Sequence, residues 1–201
     1  WSRIYPAGNL TGHVLGFVGA DNKGLTGLEL KYNYVLQGSD GKQVFAVDAR
    51  RDPIGAQTTQ GTDAEDGMNL VLTIDSVIQR FVHEALKKKV DEHEAESGVA
   101  VVMDPWTGGI LAMVSLPDYD PDNFSKSTQD DMRNRVLTDP YEPGSIFKPL
   151  VATIGLECGK VGFNEKFNCE DGFWSKYGGI GEFGNHRYGS LSVREIIIHS
   201  S

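Results

Sequence analysis

Apolar and polar positions change their period along this chain, and each change marks a predicted element. Up to about residue 70 the apolar stretches are short and broken by glycine. Turn signals at Asn22-Lys23-Gly24 and Ser39-Asp40-Gly41 flank Leu28 to Leu36, which predicts a small strand-rich or irregular module. A polar stretch from Gly55 to Gly67 predicts an exposed connection and Leu70-Val71-Leu72-Thr73-Ile74 a strand, with a domain boundary near there. Asp75 or Ser76 then caps a helix, and Gln79 is placed to complete a capping box. Val77, Ile78, Phe81, Val82, Ala85, Leu86 and Val90 form its apolar stripe; Lys87 to Lys89 and Asp91 to Glu96 form its wet side, and it ends by Gly98. Val99 to Met103 and Ile110 to Val114 are apolar strands joined by the turn-rich Asp104-Pro105-Trp106-Thr107-Gly108-Gly109, a hairpin whose unbroken apolar runs imply burial on both faces. With a further apolar helix beginning near residue 145, this predicts an α+β domain with sheet and helices layered together.

That last helix carries the candidate chemistry. Ile146, Phe147, Leu150, Val151, Ile154 and Leu156 recur with helical spacing after Pro143-Gly144, so Ser145 and Lys148 share a face of the first turn. Unpaired N–H groups at a helix start form the positive end of the macrodipole. That field stabilises an oxyanion beside Ser145 and disfavours the ammonium form of Lys148, favouring the neutral amine a general base needs. Pro149 lacks the N–H that would bond the Ser145 carbonyl, and its ring crowds that carbonyl, so a local distortion is expected. The spacing S-x-x-K is weak by itself, arising by chance about once in a couple of hundred residues. Ser39 and Lys42 repeat it in a solvated turn with no helix to orient them. Read alone, the Ser145 segment fits equally an ordinary core helix with a surface lysine and a small serine at its start.

Composition narrows the class. The 201 residues suffice for one sizeable domain or a domain plus a smaller module. A net charge of -9 argues against a nucleic-acid surface, and Lys87 to Lys89 read as one exposed helix turn. No apolar run approaches the roughly 18 residues of a membrane span, and no signal peptide is present. The chain begins at Trp1 without methionine and stops at Ser201 after an apolar run, so both ends are expected to be fragment boundaries. Cys158 and Cys169 are too few for a disulfide framework and lack metal-like spacing; they are two free buried thiols or a bridge closing a short loop. Asp118-Tyr119-Asp120-Pro121-Asp122-Asn123 starts like a calcium loop, but the required glycine is missing and Gln129 stands where the bidentate Glu should fall, so no metal site is expected. His83 and His93 are ten apart on one helix, and no histidine lies near Ser145 in sequence.

Several blocks, in shared order and spacing, resemble the class B penicillin-binding proteins, the monofunctional transpeptidases that cross-link bacterial peptidoglycan. Arg3-Ile4-Tyr5-Pro6 with Gly8, then His13-Val14-Leu15-Gly16-Phe17-Val18-Gly19, is similar to the opening of the pedestal region nearest the enzyme domain. Gly24-Leu25-Thr26-Gly27-Leu28-Glu29 with Tyr32, Leu36, Gly38 and Gly41 resembles the next pedestal block. Leu72-Thr73-Ile74-Asp75 with Gln79 resembles the start of the transpeptidase domain. Met103-Asp104-Pro105, Thr107-Gly108 and Ile110-Leu111-Ala112-Met113 resemble its first hairpin, and Asn134-Arg135 before Tyr141 to Lys148 its approach to the active serine.

The resemblance covers essentially the whole chain. It implies an incomplete, mixed α/β penicillin-binding (serine β-lactamase-like) transpeptidase domain at 71–201, after the membrane-distal part of a non-catalytic pedestal at 1–70. It makes Ser145 the nucleophile and Lys148 its base. His199-Ser200-Ser201 is similar to the start of the family's S-x-N element, with Ser200 as the proton-shuttling serine and the asparagine falling after Ser201. The K-T-G element is absent from this chain, and its strand supplies one oxyanion donor beside the Ser145 N–H. The chain alone is therefore expected to be inactive, since loss of one such donor costs about 3 kcal/mol.

The implied activity is D,D-transpeptidation of peptidoglycan stem peptides through an acyl-serine, with β-lactams as covalent inhibitors and no metal or cofactor. The implied setting is the extracytoplasmic face of the cytoplasmic membrane, with an anchor outside this sequence and a membrane glycan polymerase as partner. The alternatives are a non-catalytic assembly or β-lactam sensor module, or a hydrolytic relative (β-lactamase or D,D-carboxypeptidase). The pedestal blocks argue against the hydrolytic relatives, which lack them.

Overall fold

Short helices dominate the start of the chain in a computed structural model, which describes residues 3–44, 48–50 and 60–201. They are α1 (Gly12–Leu15), α2 (Gly27–Lys31) and α3 (Asn33–Leu36). Gly16 ends α1 at φ 76°, where a Cβ would lie 2.0 Å from the Thr26 carbonyl oxygen, so the helix stops where its backbone meets the next segment. The region is small and irregular as expected, but its regular content is more helix than strand. Among the described residues its strands are one ribbon, β1 (Lys42–Val44) antiparallel to β2 (Gln60–Thr62). Residues 55–59 of the expected polar connection lie outside the described residues. Ser39 forms an isolated bridge with Glu65 and Lys42 begins β1, so this second S-x-x-K is extended.

Leu70 to Ile74 is not a strand. It runs beside the later hairpin through two bonds, Thr73 Oγ1 donating to the Ile110 carbonyl (2.7 Å) and Asp75 N to the Leu111 carbonyl (2.9 Å), which is too few for a ladder. Asp75 caps α4 (Ser76–Glu92), accepting from the backbone N–H groups of Val77 (2.8 Å) and Ile78 (3.0 Å). With Asp75 as the cap, Gln79 falls one position too late for a capping box. It is instead the most buried side chain of the helix, donating to the carbonyls of Leu10 (2.6 Å) and Met113 (2.9 Å) and accepting from Met113 N (2.9 Å). The buried face of α4 is therefore Ile78, Gln79, Val82, His83, Leu86 and Val90, while Val77 and Phe81 of the expected stripe are exposed.

The hairpin forms as expected, β3 (Gly98–Met103) antiparallel to β4 (Ile110–Leu116), with a bulge at Val102/Met103. Asp104 closes its turn by accepting from Trp106 N (2.8 Å) and Thr107 Oγ1 (2.9 Å). Burial on both faces holds for Val114 to Leu116 but not for β3. Gly98 backs onto α4, where a Cβ would lie 2.7 Å from Val90, whereas Val99, Val101 and Met103 on the opposite face are exposed. After β4, Asp118 accepts from Asn9 (2.8 Å) and pairs with His83 (2.5 Å). Asp120 caps the 3-10 turn Pro121–Lys126, Tyr119 donates to the Gly12 carbonyl (2.8 Å), and Tyr5, Phe17 and Tyr119 make a small aromatic core. Gln79 and Tyr119 thus both bond to segments that precede residue 70. The short helix α5 (Arg135–Thr138), capped by Asn134, closes a compact unit that ends at Asp139.

Pro140–Ser201 form a second compact unit. It comprises a 3-10 turn (Gly144–Phe147), α6 (Lys148–Glu157), β5 (Lys166–Asn168), β6 (Phe173–Trp174), β7 (Ile180–Gly181), β8 (Ser190–Ser192) and α7 (Val193–His199). β5 pairs with β8 and β6 with β7, both antiparallel. A capping box starts α7: Ser192 Oγ accepts from Glu195 N (3.3 Å) and Ser192 N donates to the Glu195 carboxylate (2.8 Å). The Ser192 N–H and hydroxyl, both donating to the Glu195 carboxylate, hold it below the usual carboxylate range. Cys158 is exposed and Cys169 half-buried; both are free, so neither the bridge nor the pair of buried thiols is formed.

Candidate active site

The chain enters the site through Gly144 at φ 54°, a conformation costly to any residue with a Cβ, although a Cβ there would have no atom within 4 Å. Glycine is needed for the backbone angle and not for room. The distortion expected from Pro149 is present. With no N–H on Pro149 to reach back four residues, the Ser145 carbonyl accepts from Lys148 N three residues on, and Gly144–Phe147 winds as a 3-10 turn before α6. No side chain caps this turn at Pro143. Its orphan N–H groups keep the positive end of the helix beside Ser145.

Ser145 is exposed, and its hydroxyl has no hydrogen-bond partner among the described residues. Lys148, half-buried, directs its amine to Ser200: Nζ donates to the Ser200 carbonyl and lies 3.4 Å from Ser200 Oγ. Ser200 ends α7 in the left-handed region (φ 58°, ψ 32°), its own N–H donating to the Ile196 carbonyl. The three residues singled out by sequence line one cleft of about 630 Å³, walled by aromatic side chains including Phe167, Phe173 and Trp174. The lysine therefore bridges from the serine helix to the second serine, which the sequence separates by 52 positions.

Sequence reasoning did not bring Glu182 to the cleft. Glu182 and Ser201 also line it, with Ser201 Oγ donating to the Glu182 carboxylate. Glu182 sits in the glycine-rich Gly179-Ile180-Gly181-Glu182-Phe183-Gly184, which has no period and no motif to mark it. Histidine is missing from the described residues of the cleft lining, so a Ser-His pair finds no geometry there. Among the described residues no group of three or more His, Cys, Asp or Glu side chains is placed to hold a metal ion.

An S-x-x-K helix start facing a second serine, in a mixed α and β fold, defines the penicillin-binding class of proteins. Residues 98–201 match the penicillin binding protein transpeptidase domain, and residues 1–72 the penicillin-binding protein dimerisation domain. The chain belongs to the penicillin-binding protein transpeptidase family. It is 38% identical to PenA of Neisseria gonorrhoeae over 200 residues, covering 99% of this chain and 34% of that protein. It is 38% identical to the peptidoglycan D,D-transpeptidase FtsI of Escherichia coli K12 over 168 residues, 83% of this chain and 28% of that one. The solved structure of penicillin binding protein 3 from Mycobacterium tuberculosis complexed with aztreonam superposes with a TM-score of 0.73 at 27% identity, covering 95% of this chain and 39% of that one. The chain spans about a third of the length of the curated relatives it matches. Among the described residues no helix is long and apolar enough to cross a membrane.

Proposed function

We propose that the protein carrying this chain is a peptidoglycan D,D-transpeptidase that joins stem peptides through an acyl-serine intermediate, with Ser145 as nucleophile, Lys148 as its base and Ser200 as proton relay. The observation that carries this is the Lys148 amine, held on Ser200 in the same cleft as the unpartnered Ser145 hydroxyl. In its neutral form that amine takes the Ser145 proton as Oγ bonds to the carbonyl carbon of the penultimate D-Ala. The bond to the terminal D-Ala breaks, and its nitrogen receives the proton through Ser200 Oγ. An amine of a second stem peptide then attacks the ester, yields its proton along the same path and releases Ser145. A β-lactam acylates the same oxygen by opening its ring C–N bond, so its nitrogen stays within the adduct. The uncapped N–H groups at the start of the turn favour the anionic tetrahedral intermediates.

The reading further assigns residues 1–70 to the membrane-distal part of a pedestal and 71–201 to the first part of the transpeptidase domain. A protein of this activity works at the extracytoplasmic face of the cytoplasmic membrane, anchored there and served by a membrane glycan polymerase that makes the strands to be joined. The test is intact-protein mass spectrometry after incubation with penicillin, on this chain and on a longer natural form containing it, with peptide mapping of any adduct. The expected result is one penicilloyl group on Ser145 of the longer form, absent from its Ser145→Ala variant and formed about a hundredfold more slowly in Lys148→Ala. An adduct that survives Ser145→Ala removes the assignment, and no adduct on the longer form favours a non-catalytic assembly module.

A further inference from the structure

The Glu182 carboxylate takes no part in the proton path just described, yet it lines the cleft and accepts the Ser201 hydroxyl. Its place is set by the ribbon before it. Glu182 directly follows β7, and its backbone N–H donates to the Gly172 carbonyl (3.0 Å), the residue directly before β6. The carboxylate is thus fixed from the strand side, while the hydroxyl it accepts belongs to the residue after Ser200.

Ser200 needs such an anchor. A non-glycine residue in the left-handed region is strained and is held there by its surroundings. Backbone bonds to the Ile196 carbonyl from Ser200 N and from Ser201 N (3.1 Å) close the end of α7, but both lie on the helix side. The Ser201–Glu182 bond is the contact that ties this turn to the opposite wall. In the left-handed conformation Ser200 presents its carbonyl and its hydroxyl together to Lys148 Nζ.

We propose that Glu182 is a positioning residue which, through Ser201, holds Ser200 in the conformation that engages Lys148. This rests on the assignment of Lys148 and Ser200 to proton transfer. A charge effect of the carboxylate on the cleft is separable from the hydrogen bond. Ser201→Ala removes the bond and keeps the charge, Glu182→Gln removes the charge and keeps an acceptor oxygen, and Glu182→Ala removes both.

The experiment measures two quantities on the unmodified protein, the three single variants and the Glu182→Ala/Ser201→Ala double variant. The first is the rate of penicillin acylation at Ser145. Because a hydrogen bond to a charged group is lost, Ser201→Ala and Glu182→Ala are each expected to slow it about tenfold. The double variant is expected to be no slower than either single, since the two groups act as one unit, and Glu182→Gln to recover most of the rate. The second is competitive acetylation of Lys148 against Lys160 and Lys176 in the same chain, read by mass spectrometry. An amine freed from Ser200 reacts faster, so Lys148 labelling rises in Ser201→Ala and Glu182→Ala and not in Glu182→Gln. This second quantity needs no enzymatic activity.

Acylation and labelling both unchanged in Ser201→Ala overturn the inference while the proposed function stands. Losses that multiply in the double variant, or a Glu182→Gln loss as deep as that of Glu182→Ala, also overturn it, because the charge and not the bond is then at work. Absent acylation in the unmodified protein with the expected labelling pattern leaves the positioning role intact and sinks the transpeptidase reading instead. Melting curves accompany each variant; should Glu182→Ala fail to fold, Ser201→Ala and Glu182→Gln carry the comparison.

Discussion

Polar side chains do much of the specifying in the first unit. Gln79 satisfies three backbone groups at once, and its burial explains why a residue readable as a cap partner became a clamp between α4, β4 and the start of the chain. Nothing local distinguishes those roles; a one-residue change of cap decides between them. His13 shows the same dependence on partners distant in sequence. Its Nε2 donates to the Asp131 carbonyl (2.7 Å), and its ring stands edge-on to Tyr119 at 5.1 Å. Burial lowers its pKa below the ordinary value of 6.5, outweighing the carbonyl and the nearby carboxylate of Asp118, which favour the cation. The folded form therefore binds this proton less readily than the unfolded chain. The stability it contributes is full above about 6.5 and is lost as pH falls through the unfolded value toward the folded one. Asp131, held below the usual carboxylate range by the Thr128 N–H and hydroxyl, adds a loss of the same sign in a lower, more acidic window. Urea unfolding between pH 7 and 5 is expected to show falling stability, with a flatter slope in His13→Gln. An equal slope in the variant assigns the loss to other groups.

At the scale of the element, the helix start at Ser145 was the most legible part of the chain. Pro149 announces a missing N–H, and its consequence is present as the 3-10 turn. The opposite holds for β3 and for Leu70 to Ile74. An unbroken apolar run states that a segment avoids water but not which face is covered or whether its backbone finds a ladder, and those depend on α4 and β4. The proline can be tested for its effect on the site. Pro149→Ala restores an N–H able to reach the Ser145 carbonyl four residues back, which lets the α-helix extend and turns Ser145 out of its present direction. Because Pro is tolerated in the first turn, stability should change little, by less than about 1 kcal/mol. Penicillin acylation of Ser145 should slow about tenfold or more, since small displacements of a reacting group are costly. An unchanged rate with a longer helix, seen as increased helical circular dichroism, would mean that the turn does not orient the nucleophile.

For the whole molecule, the family and the three residues Ser145, Lys148 and Ser200 were readable from motif order, whereas the contact of Lys148 with Ser200 and the presence of Glu182 in the cleft needed three-dimensional closure. The two compact units also differ in how their elements are covered, and this predicts a difference in local stability. Ala112, Val114, Ser115 and Leu116 of β4 are buried, as are Gln79 and His83 of α4. Among the described residues of the second unit burial is confined to Leu191, Ser192 and Val193, and α6 has no buried residue; Leu150, Val151 and Ile154 are each more than half exposed. Opening a segment costs in proportion to the apolar contacts and shielded hydrogen bonds it gives up, so α6 should open at lower free energy than β4. Amide hydrogen exchange followed by mass spectrometry on this chain should find the slowest amides in β4 and the middle of α4, and faster exchange through residues 148–157. In this chain the helix that carries Lys148 would then be the more readily opened side of the cleft, with α7 supplying the partner of its amine. Protection of α6 equal to that of β4 would contradict this, and would require contacts on its apolar face that the described residues do not make.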